Sequence, residues 1–193
     1  MVGDWGLGSV RDKGMTTDSR LGISRRSVGI HKVKAMPIGE NDIREIQARV
    51  APLLGQKVWG AALGTGSFVT LEFGAVRPGQ GPGTRDHGEW HLWIYCAAWR
   101  LEQEDAVLAA SEDPRPKLEQ AVTRLNGLAL DVIEVRRPAL EAIFQFEQGI
   151  ALRVFPIFSE GFEHWMIYMP DGNVLTAGPG TSWNITPATT PGP

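Results

Sequence analysis

"DHGEWHLWIYCAAWR", Asp86 to Arg100, decides how this chain is read. Its fifteen residues hold three of the seven Trp, one of the two Tyr, two of the four His and the only Cys. Wherever this run lies, it therefore fixes both the core and the best-equipped surface. Side chains alternate across a strand. That puts Trp90, Leu92, Ile94, Cys96 and Ala98 on one face, and His91, Trp93, Tyr95, Ala97 and Trp99 on the other. Both faces are apolar, which predicts a central strand covered on each side. The second face is richer in flat side chains with a polar handle. Two readings account for it: a sheet curling around its own core, or a binding surface. The binding reading takes His91, Trp93, Tyr95 and Trp99, joined by His164 of "FEHWMIY", where the His–Trp pairing recurs.

Upstream of the run, "VRPGQGPGTRDHG" reads as a long Gly/Pro loop. Before it, two strands near 57–63 and 67–74 are joined by the turn residues of "LGTGS". They follow a helix whose apolar residues Ile43, Ile46, Val50 and Leu53/Leu54 repeat at helical spacing, capped by Asn41 or Asp42 and closed by Gly55. Downstream comes a short strand at 105–110. In "SEDPRP", Ser111 or Asp113 is placed to cap a second helix with Pro114 near its first turn. Leu118, Ala121, Val122 and Leu125 form its apolar face, and Asn126-Gly127 ends it. Strands near 128–136, 139–147, 149–156, 163–169 and 173–177 follow, with "RRP", "EQG" and "PDG" in their turns.

The two halves are alike. Helix, Leu53-Leu54-Gly55, strand, turn and "LEF" at 71–73 correspond to helix, Leu125-Asn126-Gly127, strand, turn and "FQF" at 144–146. The offset is 72 between Gly55 and Gly127, and 73 between Phe73 and Phe146. The expected fold is α+β: two related helix-plus-antiparallel-sheet units, an internal duplication, forming one domain over 37–178 with half-repeats of about 40–110 and 111–178. Residues 1–36, rich in Gly, Ser and Arg with no sustained periodicity, read as a disordered leader, with Met36 as an alternative start of translation. Residues 179–193 read as a disordered tail.

Charge divides in the same way. Residues 1–35 carry seven Lys/Arg and three Asp, whereas the rest carries twelve Lys/Arg against nineteen Asp/Glu. An acidic body argues against nucleic-acid binding, which needs clustered cations on the phosphates, and favours a basic partner. No apolar stretch is long enough to span a membrane. A single Cys and the lack of a signal-like apolar segment point to a reducing cytoplasm.

The chemistry-bearing residues are few. Along a strand His87, Glu89 and His91 project to one side, with Asp86 adjacent; two His and a carboxylate suit zinc or iron. Their spacing is not that of the helical H-E-x-x-H motif, so metal is the alternative and not the expectation. Cys96, mid-strand among apolar residues, reads as an inert buried thiol. Nucleophile elbow, P-loop, dinucleotide fingerprint and C-x-x-C pair are all missing from the sequence. No catalytic residue and no cofactor is expected.

The segments "FVTLEFG", "EWHLWIYCAAWRLE", "VLAASEDPR", "FQFEQGIALRVFPI" and "HWMIYMPDGNVLTAGPG" resemble small, largely uncharacterised bacterial α+β proteins. Those proteins carry a phrase like L-x-F-x-x-G-x-x-L…W-x-x-x-x-P-D-G, and some are regarded as immunity-type proteins of toxin systems. The resemblance spans roughly residues 40–183. Its motifs are turn and core residues, so it brings a fold and no functional residues. It implies a non-enzymatic cytoplasmic binding protein that neutralises a toxin or another basic effector. The partner expected is a protein, a toxin among the candidates, with a homodimer as a further option; nucleic acid and membrane are not expected. The alternative is a small-ligand or metal-dependent enzyme with a site near His87, His91, Trp93 and His164.

Overall fold

The computed structural model describes residues 38–79 and 85–188. The expected leader (1–36), the middle of the Gly/Pro loop (80–84) and the end of the expected tail (189–193) lie outside the described residues. Helix α1 (Glu40–Val50) buries Ile43, Ile46 and Val50, the apolar stripe of its sequence. Gly39, not Asn41 or Asp42, is its N-cap. Asp42 folds back instead to accept a hydrogen bond from Gly39 N at 2.7 Å. A 3-10 turn at Ala51–Leu53 follows, and Gly55 closes the segment at φ +80°. Helix α2 (Arg115–Thr123) buries Leu118, Ala121 and Val122, with Pro114 as its cap residue. Ser111 and Asp113 are therefore not the cap either; Asp113 accepts from Ala110 N at 2.9 Å and pairs with Lys117 at 2.8 Å.

Among the described residues, eleven strands form two antiparallel sheets. The strands are β1 (Ala62–Leu63), β2 (Val69–Arg77), β3 (His87–Ile94), β4 (Ala97–Gln103), β5 (Ala106–Ala110), β6 (Leu130–Arg136), β7 (Glu141–Phe146), β8 (Ile150–Pro156), β9 (Trp165–Tyr168), β10 (Asn173–Ala177) and β11 (Trp183–Pro187). One sheet has the order β1-β2-β3-β9-β10-β11, the other β5-β4-β8-β7-β6. The fold is α+β, with α1 against β6 and α2 against β1 and β5. Among the described residues no helix is long and apolar enough to cross a membrane.

Three expectations are corrected. The strand expected over 57–63 is only two residues long, with Lys57 and Val58 forming isolated bridges to Ala129 and Phe73. The tail expected to be disordered from 179 supplies β11, which pairs along all of β10 and is tied to α1 by a hydrogen bond from Trp183 Nε1 to Asp42 Oδ1 at 3.2 Å. Most consequentially, the aromatic run is two strands in two sheets. Tyr95 and Cys96 carry the chain across, and their amides bond to His164 O (2.9 Å) and Glu163 O (3.2 Å) on the segment that carries β8 over to β9. Two residues outside either ladder shift the inward positions by one. Trp90, Leu92 and Ile94 face the core before the crossing, and Ala97, Trp99 and Leu101 after it. Trp99 therefore does not share a face with His91; it is 1% exposed.

Both sheets contribute to one continuous apolar core, and their attachments come in matched pairs. Gly55 N donates to Leu130 O (2.8 Å) and Gly127 N to Val58 O (2.7 Å). Leu130 N donates to Gln56 O and Val58 N to Leu128 O, both at 3.0 Å. Trp99 of the five-stranded sheet donates its indole N–H to Ser67 O, in the turn before β2, at 2.6 Å. Trp165 of the six-stranded sheet donates to Leu140 O, in the turn before β7, at 2.9 Å. A buried indole keeps its polar edge satisfied in this way while its rings fill the core.

Truncating such an anchor opens a large cavity and orphans a carbonyl. Trp99→Ala is expected to lower unfolding free energy in urea by about 3–5 kcal/mol, and Trp93→Ala by less than half as much. Equal losses would return Trp93 and Trp99 to one environment.

Candidate functional site

The outer face of the six-stranded sheet carries the polar and aromatic side chains of the run. Cross-strand register places Glu72 beside His91 and His91 beside Tyr168, with Thr70, Trp93 and Met166 forming the next row. Glycines allow close approach around the first row, Gly60 to the Glu72 side chain and Gly88 to the neighbouring backbone. A Cβ on Gly60 would lie 2.7 Å from Glu72 Cγ, and one on Gly88 would lie 2.4 Å from Phe73 O. Gly88 sits where the β2–β3 register shifts between Phe73 and Val76, a bulge that turns its amide toward the Glu72 carboxylate.

Glu72 is held at both oxygens. Gly88 N donates to Oε2 at 2.7 Å, and His91 Nδ1 donates to Oε1 at 2.6 Å. The pair is largely sheltered, with side chains 12% and 19% exposed. A carboxylate on Nδ1 sets which ring nitrogen carries the proton and how the ring points. Nε2 has no hydrogen-bond partner among the described residues. The imidazole and the Tyr168 ring meet edge to face at 5.5 Å. Burial pushes the Tyr168 phenol up from its ordinary range, and Glu163 adds to the shift. Arg77, His87, Glu89, His91, Tyr168 and Asn173 are among the residues lining a concavity of about 320 Å³ beside this pair.

Further along the same face, Phe68, Trp93 and Tyr95 form an aromatic cluster. Tyr95 lies 4.8 Å from Phe68 and 4.9 Å from Trp93 between ring centroids, and Phe68 meets Trp93 at 6.4 Å. All three are half-buried. The outer face of the five-stranded sheet is different in kind. There Glu102 takes hydrogen bonds from Arg100 and Arg153, both at 2.6 Å, and the Arg100 guanidinium lies 5.6 Å from the Phe155 ring centre. Burial raises the Glu102 carboxyl, but the two arginines outweigh it and hold the group below its usual range.

Of the five residues expected to form a binding face, His91, Trp93 and Tyr95 share the outer face, while Trp99 is in the core. His164 is also withdrawn, with no exposure. Its Nε2 donates to Phe158 O at 2.9 Å, and Gly178 presses on its ring, where a Cβ would lie 2.6 Å from Nδ1. Nδ1 has no hydrogen-bond partner among the described residues. The alternative metal set, His87, Glu89 and His91, does lie on one face of β3. Its members are turned to other tasks: His91 to Glu72, Glu89 toward Ala75 N (3.3 Å) and Arg77 (4.0 Å). Among the described residues no three His, Cys, Asp or Glu side chains converge to hold a metal. Cys96 is not mid-strand but at the crossing, half-buried, and burial raises its thiol above the usual range.

Glu72, Arg77, Tyr168 and Phe68 escaped the sequence reading. The only signal for Glu72 is a polar residue inside the apolar strand "FVTLEFG", opposite a histidine once the hairpin register is known. The chain matches no protein-family model, no curated protein and no solved structure.

Burial depresses the His164 pKa more than the Phe158 carbonyl and Glu163 raise it. The unfolded chain, with an ordinary histidine value of about 6.5, then binds a proton that the folded chain refuses. Stability is full above that value and falls as pH drops below it toward the folded-state pKa. Urea midpoints measured between neutral and mildly acidic pH should decline in the native protein, and His164→Leu should flatten that decline. An unchanged slope would mean that His164 protonates as readily folded as unfolded.

Proposed function

We propose that the chain is a binding protein that seats a protein partner on the outer face of the six-stranded sheet. The observation that carries this reading is the Phe68–Trp93–Tyr95 cluster, half-buried on a sheet face whose counterpart on the other sheet is closed by ion pairs. Rigid aromatic groups with polar edges are the side chains that most often anchor protein interfaces. The net acidic charge of residues 36–193 favours a basic partner and speeds encounter with it. An immunity-type role in the cytoplasm, occluding the working surface of a toxin or another basic effector, fits both features. A second copy of the chain in a homodimer is the competing occupant of the face.

We also infer that the domain is an internal duplication whose halves exchange strands. Replacing β1, β2, β3, β9 and β10 by β6, β7, β8, β4 and β5 turns the order of five strands of one sheet into that of the other, with β11 unmatched. The matched bonds of Gly55 and Gly127 support this reading at an offset of 72, and the turn carbonyls of Ser67 and Leu140 at 73.

The partner reading is tested with a photo-crosslinking amino acid placed at Trp93 and, as a control, at Gln145 on the opposite sheet. Crosslinking in the native host should yield one basic protein from position 93 and not from 145. The double variant Trp93→Ala, Tyr95→Ala should weaken binding of that protein by about tenfold or more and leave the fold intact by circular dichroism. Crosslinks only to a second copy would assign the face to a homodimer. Equal yield at both positions would defeat the proposal.

A further inference from the structure

The concavity beside Glu72 and His91 lies apart from the aromatic cluster and has chemistry of its own. At about 320 Å³ it is at the small end of ligand cavities. One end presents Arg77, whose side chain is 45% exposed. Its links to Glu89 (4.0 Å) and to Pro170 O (3.4 Å) are long, and among the described residues most of the five N–H donors of its planar fork have no partner. The wall includes His91, whose Nδ1 is committed to Glu72 and whose Nε2 has no hydrogen-bond partner among the described residues. As an imidazolium, His91 donates Nδ1–H to Glu72 at 2.6 Å and Nε2–H to an anion. Tyr168 and the nearly buried Met169 supply flat and apolar surface next to these donors, and Asn173 adds an amide at the rim. Glu89 on the same rim opposes a second negative charge.

We propose that this concavity binds a small monocarboxylate with a flat apolar body, its carboxylate shared between the Arg77 guanidinium and His91 Nε2. Glu72 acts as a positioning residue that holds His91 in its donating orientation, and Gly60 and Gly88 give Glu72 its place. A bidentate guanidinium–carboxylate contact sets direction as well as strength, and the body of the ligand lies against Tyr168 and Met169. The inference rests on this cavity alone and stands whether or not a protein occupies the aromatic face.

Benzoate is the probe. Titrated into the full-length protein, it should produce saturable shifts of the His91 and Tyr168 ring signals by NMR, and inorganic phosphate should not. Arg77→Gln should weaken benzoate binding by about tenfold or more; Arg77 is exposed, so the thermal midpoint should hold. Glu72→Gln should weaken binding and change the His91 ring signals in the free protein, a change that lost packing elsewhere would not mimic. Asn173→Ala at the rim provides a further variant that perturbs no core residue. The proposal fails if benzoate shifts rise without saturating, if they centre on residues outside the concavity, if phosphate competes equally, or if Arg77→Gln leaves the affinity within about twofold.

Discussion

Each sheet is finished by strands from the other half of the chain, and the two exchanges touch. The amides of Tyr95 and Cys96 bond to the carbonyls of His164 and Glu163, so the crossing from β3 to β4 is laced to the crossing from β8 to β9. The rest of the molecule follows from that contact. It fixes β3 beside β9 and β4 beside β8, the central pairings of the two sheets. It brings Trp99 and Trp165 inward to opposite turns. The sheets cannot part without breaking ladders inside each of them, so one cooperative core results instead of two stacked layers.

The same crossing sorts side chains between core and surface. Before it, the outward positions of β3 are His87, Glu89, His91 and Trp93, the last two beside Tyr168 and Met166 of β9. After it, the outward positions of β4 include Arg100 and Glu102, which meet Arg153 of β8. One sheet thus shows water a polar and aromatic face with a cavity in it, the other a face of satisfied charges. Fully paired surface ions contribute little to association, so the two outer faces differ in what they can bind, although their inner faces are alike.

Local signals were the legible ones. β6, β7, β8 and β10 lie within about two residues of their expected bounds because alternation and the "RRP", "EQG" and "PDG" turns are written in adjacent residues. Both helices are where their apolar stripes put them, though their caps are not. The crossing at Tyr95–Cys96 left no trace, since an apolar strand and two shorter apolar strands have the same composition, and a parity slip shows only when one face is polar. β11, "WNITP", was hidden by Gly, Thr and Pro around it; its pairing is set by the turn after β10, where Gly178 N bonds to Ser182 O at 2.8 Å. At the site, placing His87 and His91 on one face needed only the period of a strand. Finding Glu72 needed the register of a bulged hairpin, and finding Tyr168 a partner strand some seventy residues away.

That distance has a consequence for the chain as it is made. β3 and β4 leave the ribosome long before β8 and β9 exist, and each borders one of those later strands in its sheet. At about 5–20 residues per second, the nascent chain spends several seconds with two unpaired inner edges bordered by Trp90, Leu92, Trp99 and Leu101. Nothing within the first half can close those edges, and contacts so distant in sequence form slowly even once the chain is complete. A chain built this way is most exposed in the interval before β8 and β9 have been translated.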